Sequence, residues 1–218
     1  MRSTLARAAS ASEAEPPRAR APRASPVSAT ALDTIPEGDT ARATELERAF
    51  ANLRRELTHH HEGEDTYVWP FLAGLGVDAG LLATMESEHA AMSAALAETG
   101  DALGALARGG SASDAEAARA SVERTRAVVS AHLDHEEMAL ESLLGDQEKT
   151  PEWKAVTKNL RHSSPGDAGS FFAWLTDGMN PSDRASLGRT VPTPVTVVLT
   201  RVFGRRYARE VAPVWRAT

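Results

Sequence analysis

Residues 59–72 read HHHEGEDTYVWPFL, and they close a run that opens near Thr40 with apolar residues at Leu46, Phe50, Leu53 and Leu57. Steps of four, three and four residues keep side chains on one face of an α-helix. Extending the series by three, four, three and four lands on His60, Glu64, Tyr67 and Phe71. The spacing therefore predicts a helix over 40–69 whose core stripe takes in a histidine and a carboxylate. Thr40, just after the breaker Gly38, is the expected N-cap, and Pro70 is expected to end the helix.

Two more stripes carry the same interruption. A helix over 79–107 is predicted from Leu82, Met85, His89, Met92, Leu96, Leu103 and Leu106, bounded by Gly76 and Gly109-Gly110. A third, over 113–144 and ending at Gly145, carries Val122, Thr125, Val129, His132, Glu136, Leu140 and Leu143. His60 with Glu64 and His132 with Glu136 are four residues apart, which sets each pair on one face about 5–6 Å apart at Cβ, a good bite for a metal ion. A lone buried carboxylate costs several kcal/mol, and no Lys or Arg shares these stripes. A bound cation is the simplest neutraliser. A single core histidine is more often a hydrogen-bonded packing residue than a ligand; three stripes interrupted alike are hard to explain as packing. His61 with Asp65 has the same spacing one position off the stripe and ranks second.

The wider composition narrows the chemistry. The chain has 218 residues and no cysteine, so disulfides, thiolate metal sites and cysteine nucleophiles are excluded and a metal would sit among His, Asp and Glu. Charge is uneven: residues 1–30 are net +3, residues 31–146 carry eight Arg against 22 acids for −14, and residues 147–218 are net +5. Six of the seven histidines fall in the acidic block, His162 being the exception. Such a block favours cations and argues against nucleic acid as partner, since phosphate contacts need Lys and Arg. No nucleophile elbow, phosphate loop or dinucleotide fingerprint is present.

No stretch reaches the roughly 18 apolar residues of a membrane helix. The N-terminus is rich in Ala, Arg, Ser and Pro but carries Glu13 and Glu15 and no apolar segment, so a cytoplasmic location is expected. Residues 10–31 read as a flexible segment. Beyond Gln147, Thr150-Pro151 starts a short helix to His162, and Phe171, Phe172, Trp174 and Leu175 form an apolar segment expected to dock. Thr193-Pro194 repeats the start signal for a last helix bearing Val195, Val198, Leu199, Val202 and Phe203, with Arg201, Arg205, Arg206 and Arg209 elsewhere on it.

HHHEGEDTYVWPFL, the EH of MESEHAAM and HLDHEEMALESLL together resemble the motif-bearing helices of the hemerythrin HHE cation-binding family, over about residues 40–145. The resemblance implies an all-α, up-down four-helix bundle around a non-haem di-iron centre. Carried over by position, it makes His60 a terminal ligand and Glu64 a bridging carboxylate. It also makes His89 a ligand, and His132 a ligand with Glu136 as the other carboxylate, Glu137 being the adjacent alternative. Two departures stand out. Where many members have a second histidine one turn on, this chain has Ser93, and no histidine precedes His59, although the family's first helix carries one. MRSTLARAA resembles only the end of that helix, so the first helix is expected to be truncated or incomplete. The C-terminal part, with VPTPV and a basic helix containing Tyr207, looks like an extension of some actinobacterial members.

The expected organisation is a metal-bearing bundle over 1–145 and a helical extension of unknown role over 146–218, with the extension, through Phe171, Phe172 and Trp174, a candidate cover for the face a first helix would occupy. The leading functional expectation is a non-haem iron protein that binds or senses oxygen or a related small redox ligand. One alternative is an iron enzyme that breaks down peroxide or nitric oxide; another is a metal-free helical scaffold whose basic end binds a partner or membrane surface.

Overall fold

The computed structural model describes residues 38–145, 147, 149–160, 164–179 and 181–216. The flexible segment over 10–31, the remnant of a first helix and His162 lie outside the described residues. Three long helices carry the bundle. Helix α1 (Thr40–Gly63) runs through a π-helical turn (Glu64–Val68) into α2 (Trp69–Gly74), α3 spans Ala79–Gly109 and α4 spans Ala112–Gly145. Asp39 rather than Thr40 is the N-cap of α1, its carboxylate accepting from the Arg42 amide at 2.9 Å. The α3–α4 corner is tight because Gly110 takes φ +63°, and its carbonyl accepts from the Gly38 amide at 2.8 Å, tying the start of α1 to that corner.

Pro70 does not stop the helix at Trp69. The Trp69 amide reaches back five residues to the Glu64 carbonyl, and the wider π turn hands over to a new α-helical start in which Pro70 occupies the first turn, where no amide donor is required. The added residue shifts the register beyond it. Val68, Trp69 and Leu72 are buried, whereas Tyr67, expected on the core stripe, is 39% exposed and Phe71 is half-buried against Trp153. On α3 the stripe is buried as expected, joined by Thr99, whose hydroxyl lies 2.8 Å from that of Thr125 on α4. Leu143, expected on the α4 stripe, is exposed; the side chain of Leu140 is outside the described residues.

The main core joins Leu46, Phe50 and Leu53 of α1 to Leu96 and Leu103 of α3 and Val122 and Val129 of α4. Each such side chain contributes about 1.5–3 kcal/mol when fully buried. A second cluster, Val68, Trp69, Leu72, Leu82 and Met85, caps the other end. The polar side chains of the three stripes fall in the layer between them.

The C-terminal part forms α5 (Pro151–Asn159), α6 (Pro165–Thr176), α7 (Pro181–Thr190), α8 (Thr193–Val198), a second π turn (Leu199–Phe203), α9 (Arg205–Glu210) and α10 (Ala212–Arg216). Thr150 caps α5 as expected, accepting from the Trp153 amide at 3.1 Å, while α8 starts from Pro192 with no side-chain cap. Trp153 and Leu160 pack on the second cluster. Tyr207, Val211 and Val214 enter the main core, and Arg42 of α1 donates to the Val214 carbonyl at 3.3 Å, so α9 and α10 lie against α1. Trp174 borders that core, but Phe171 and Phe172 pack on each other, with ring centroids 5.4 Å apart. Of the aromatic segment the sequence suggested, Trp174 packs on the main core, joined there by Tyr207, Val211 and Val214. Helix α6 crosses the second π turn so closely that a Cβ on Gly169 would fall 2.3 Å from Phe203 Cβ and one on Gly204 2.6 Å from Ala173 Cβ. No helix among the described residues is long and apolar enough to cross a membrane.

Candidate metal centre

Helix α3 supplies His89, α4 supplies His132 and Glu136, and the end of α1 with its π turn supplies His60, His61 and Glu64. Side-chain donor atoms of His61, Glu64, His89 and His132 all lie within 4.8 Å of one another, and all four residues are buried. A second group, His60, Glu64 and Glu136, meets the same criterion and shares Glu64 with the first. The five residues expected from sequence therefore sit in one layer, divided between two overlapping donor sets.

His89 and His132 are held from behind. The Nδ1 of His89 is 2.7 Å from Asp65 Oδ1, which also accepts from Trp69 Nε1 at 2.9 Å, and the Trp69 ring stacks on His89. The Nδ1 of His132 is 2.8 Å from Glu88 Oε2, whose other oxygen lies 2.8 Å from His135 Nδ1. A carboxylate only accepts, so each imidazole carries its proton on Nδ1 and turns a bare Nε2 inward. Those two Nε2 atoms are 3.2 Å apart. Desolvation by burial pulls the His89 pKa down, against the opposing pull of Asp65, so a proton between the two rings is disfavoured.

His61 and Glu64 complete the set. Among the described residues the Nε2 of His61 is buried without a hydrogen-bond partner, as is Oε2 of Glu64, which lies 3.5 Å from His89 Nε2. Burial, reinforced by the nearby His60, His89 and His132, pushes His61 down to about 2. Burial, together with the adjacent Glu136, pushes the Glu64 carboxyl well up, and burial also raises Glu136. Neutral imidazoles and buried carboxyls that resist charging are the donors a bound cation would draw together. His60, exposed at the rim, places Nε2 3.2 Å from Glu64 Oε1, and Glu136 Oε2 is 3.9 Å from His132 Nε2.

The donor chemistry fits a first-row transition metal: imidazoles and carboxylates, no thiolate, orphaned buried lone pairs converging, and carboxylates orienting two of the rings. Sequence reading ranked His61 behind His60 and gave Glu88 no role. At 100° per residue, His60 and His61 fall about 50° on either side of the stripe set by Leu46, Phe50, Leu53 and Leu57, so periodicity cannot choose between them. Asp65, paired with His61 as a second-rank ligand pair, instead backs His89. Glu88 had one available signal, its place beside His89 in the quoted EH pair. Ser93, where the resemblance implied another histidine, is exposed.

A helical bundle that turns histidines and carboxylates inward from three helices between two apolar layers belongs to the class of cation-binding bundles. The chain belongs to the hemerythrin HHE cation-binding domain family, whose profile matches residues 24–144. Searches of curated proteins and of solved structures gave no match.

Proposed function

We propose that the chain holds non-haem iron through His60, His61, Glu64, His89, His132 and Glu136 and binds or senses oxygen or a related small redox ligand, in the cytoplasm. The observation that carries metal binding is the 3.2 Å approach of the His89 and His132 Nε2 atoms with both Nδ1 atoms engaged by carboxylates. Two bare lone pairs so close repel unless a cation lies between them. The same observation weighs against a metal-free scaffold.

Bound iron would supply a redox couple and exchangeable coordination positions. The chain's own residues do the rest. His61, Glu64, His89 and His132 form a four-donor set, while His60, Glu64 and Glu136 offer three, so the first position is the tighter and the second the more open to an external ligand. Asp65 and Glu88 fix the ring orientations, and Val68, Trp69 and Met85 keep one side of the layer dry. Residues 1–145 form the metal-bearing unit in this proposal and 146–218 its extension, divided near Gly145.

Metal analysis of the full chain purified from metal-replete medium is the test. At least one iron per chain, with an absorption spectrum that changes reversibly on exposure to oxygen, is expected. Iron, manganese and zinc all well below one per chain would overturn the proposal.

A further inference from the structure

The bundle is acidic, yet one surface of the extension is apolar and basic. Val195, Val198 and Val202, spaced three and four residues apart along α8 and the second π turn, are each about half exposed, and Phe203 beside them is 41% exposed. The inward side of this segment is spent on α6, where Gly169 lies against Phe203 Cβ and the Leu199 carbonyl. The valines therefore form the outer side of a segment already anchored to the fold.

Arginines border this strip. Arg201 and Arg205 are exposed and have no carboxylate partner among the described residues; the Arg205 Nε donates to the Arg201 carbonyl. From Val191 to Arg209 the sequence contains no acid, and the first one after it, Glu210, is paired with Arg206. Residues 1–30 are also net positive, so that segment is a poor electrostatic match. The bundle of a second copy offers negative charge, but among its described residues the exposed large apolar side chains are Tyr67 in the π turn, Leu75 just after α2, and Met138 and Leu143 on α4, with none at the three- and four-residue spacing of the valines. A surface that pairs negative charge with an apolar layer beneath it matches both properties at once.

We propose that the strip formed by Val195, Val198, Val202 and Phe203 with Arg201 and Arg205 attaches the protein peripherally to an anionic lipid surface. The valines enter the boundary between headgroups and acyl chains and the arginines meet the headgroups. The attachment lies in the plane of the surface and does not span it, and it is independent of the metal proposal.

Co-sedimentation of the full chain with vesicles of phosphatidylglycerol and phosphatidylcholine, against phosphatidylcholine alone, reads it directly. Binding to the anionic vesicles is expected, weakening as salt rises and falling about fivefold for each of Arg201→Gln and Arg205→Gln. Val198→Asp with Val202→Asp should abolish it while helical circular dichroism and metal content stay at the parent level. Because these side chains are exposed, the substitutions spare the core, and the milder Val198→Ser serves if the double variant fails to fold. No binding to either vesicle, equal binding to both, or self-association lost in the valine variants without vesicle binding would each overturn the proposal.

Discussion

The Nε2 atoms of His89 and His132 face each other at 3.2 Å while Asp65 and Glu88 hold the opposite ring nitrogens at 2.7 and 2.8 Å. Opposed lone pairs in a buried layer are stable only around a cation. His89→Ala and His132→Ala are therefore expected to lose tightly held metal, read as metal per chain after dialysis, with helical content retained. Retention of full metal content by both variants would show that the ion sits elsewhere.

Glu88 is expected to act by positioning. It touches no second ligand, yet it orients His132 and fixes which nitrogen is bare. Glu88→Gln should keep the ion but weaken metal affinity about 10–100-fold, the usual range for loss of such a carboxylate. A competitive chelator titration measures this, and Asp65→Asn should behave alike at His89.

Glu64 belongs to both donor sets, Glu136 to one. Glu136→Gln should lower metal content in part, whereas Glu64→Ala should lower it at both positions. In the metal-free state Glu64→Gln is expected to leave stability unchanged or raise it at neutral pH, because it removes a carboxyl whose ionised form burial penalises. Thermal melts of metal-free parent and variant decide this.

Metal-free protein should have a stability optimum near pH 6.5, the ordinary histidine value, and lose stability on both sides of it. His61 has its folded pKa pushed from 6.5 down to about 2, so the stability linked to it is fully present above about 6.5 and is lost as pH falls toward 2. Glu64 and Glu136 are shifted upward by burial, so the stability linked to them is present below the unfolded value of 4.5 and is lost as pH rises through their folded values. His60, pushed by desolvation from 6.5 down to about 4, and His89, lowered by burial, act in the same direction as His61, so below about 6.5 three imidazoles outweigh the two carboxyls and the maximum falls near that value. Metal-loaded protein should move toward higher pH, since the cation favours neutral His61 and ionised Glu64. Denaturant midpoints across pH, with and without metal, test the shift.

Gly169→Ala should destabilise the docking of the extension by about 1–3 kcal/mol, the usual range for overpacking, because the added Cβ meets Phe203 Cβ and backbone from the second π turn. Limited proteolysis of the C-terminal segment should accelerate in that variant. An unchanged rate would mean that the crossing relaxes freely.

Three apolar stripes, each interrupted by histidine, were enough to determine the helical bundle and to bring His60, Glu64, His89, His132 and Glu136 to one layer, because helical period alone fixes which side chains share a face. That period could not resolve His60 from His61, which straddle the stripe and lie nearly equally far from its centre. The π turn at Glu64–Val68 added a residue that no local rule announced, moving Tyr67 outward and Val68 and Trp69 inward. Pairings across helices were equally out of reach of sequence: Asp65 reaches His89 24 positions away, and Glu88 reaches His132 44 positions away. The same holds for the C-terminal residues that enter the core: the sequence pointed to Phe171 and Phe172, which are half-buried, and gave no core role to Tyr207 and Val211, which are buried. Periodicity reports a side chain's direction about its own helix axis; only the packing of helices against one another decides what that direction meets.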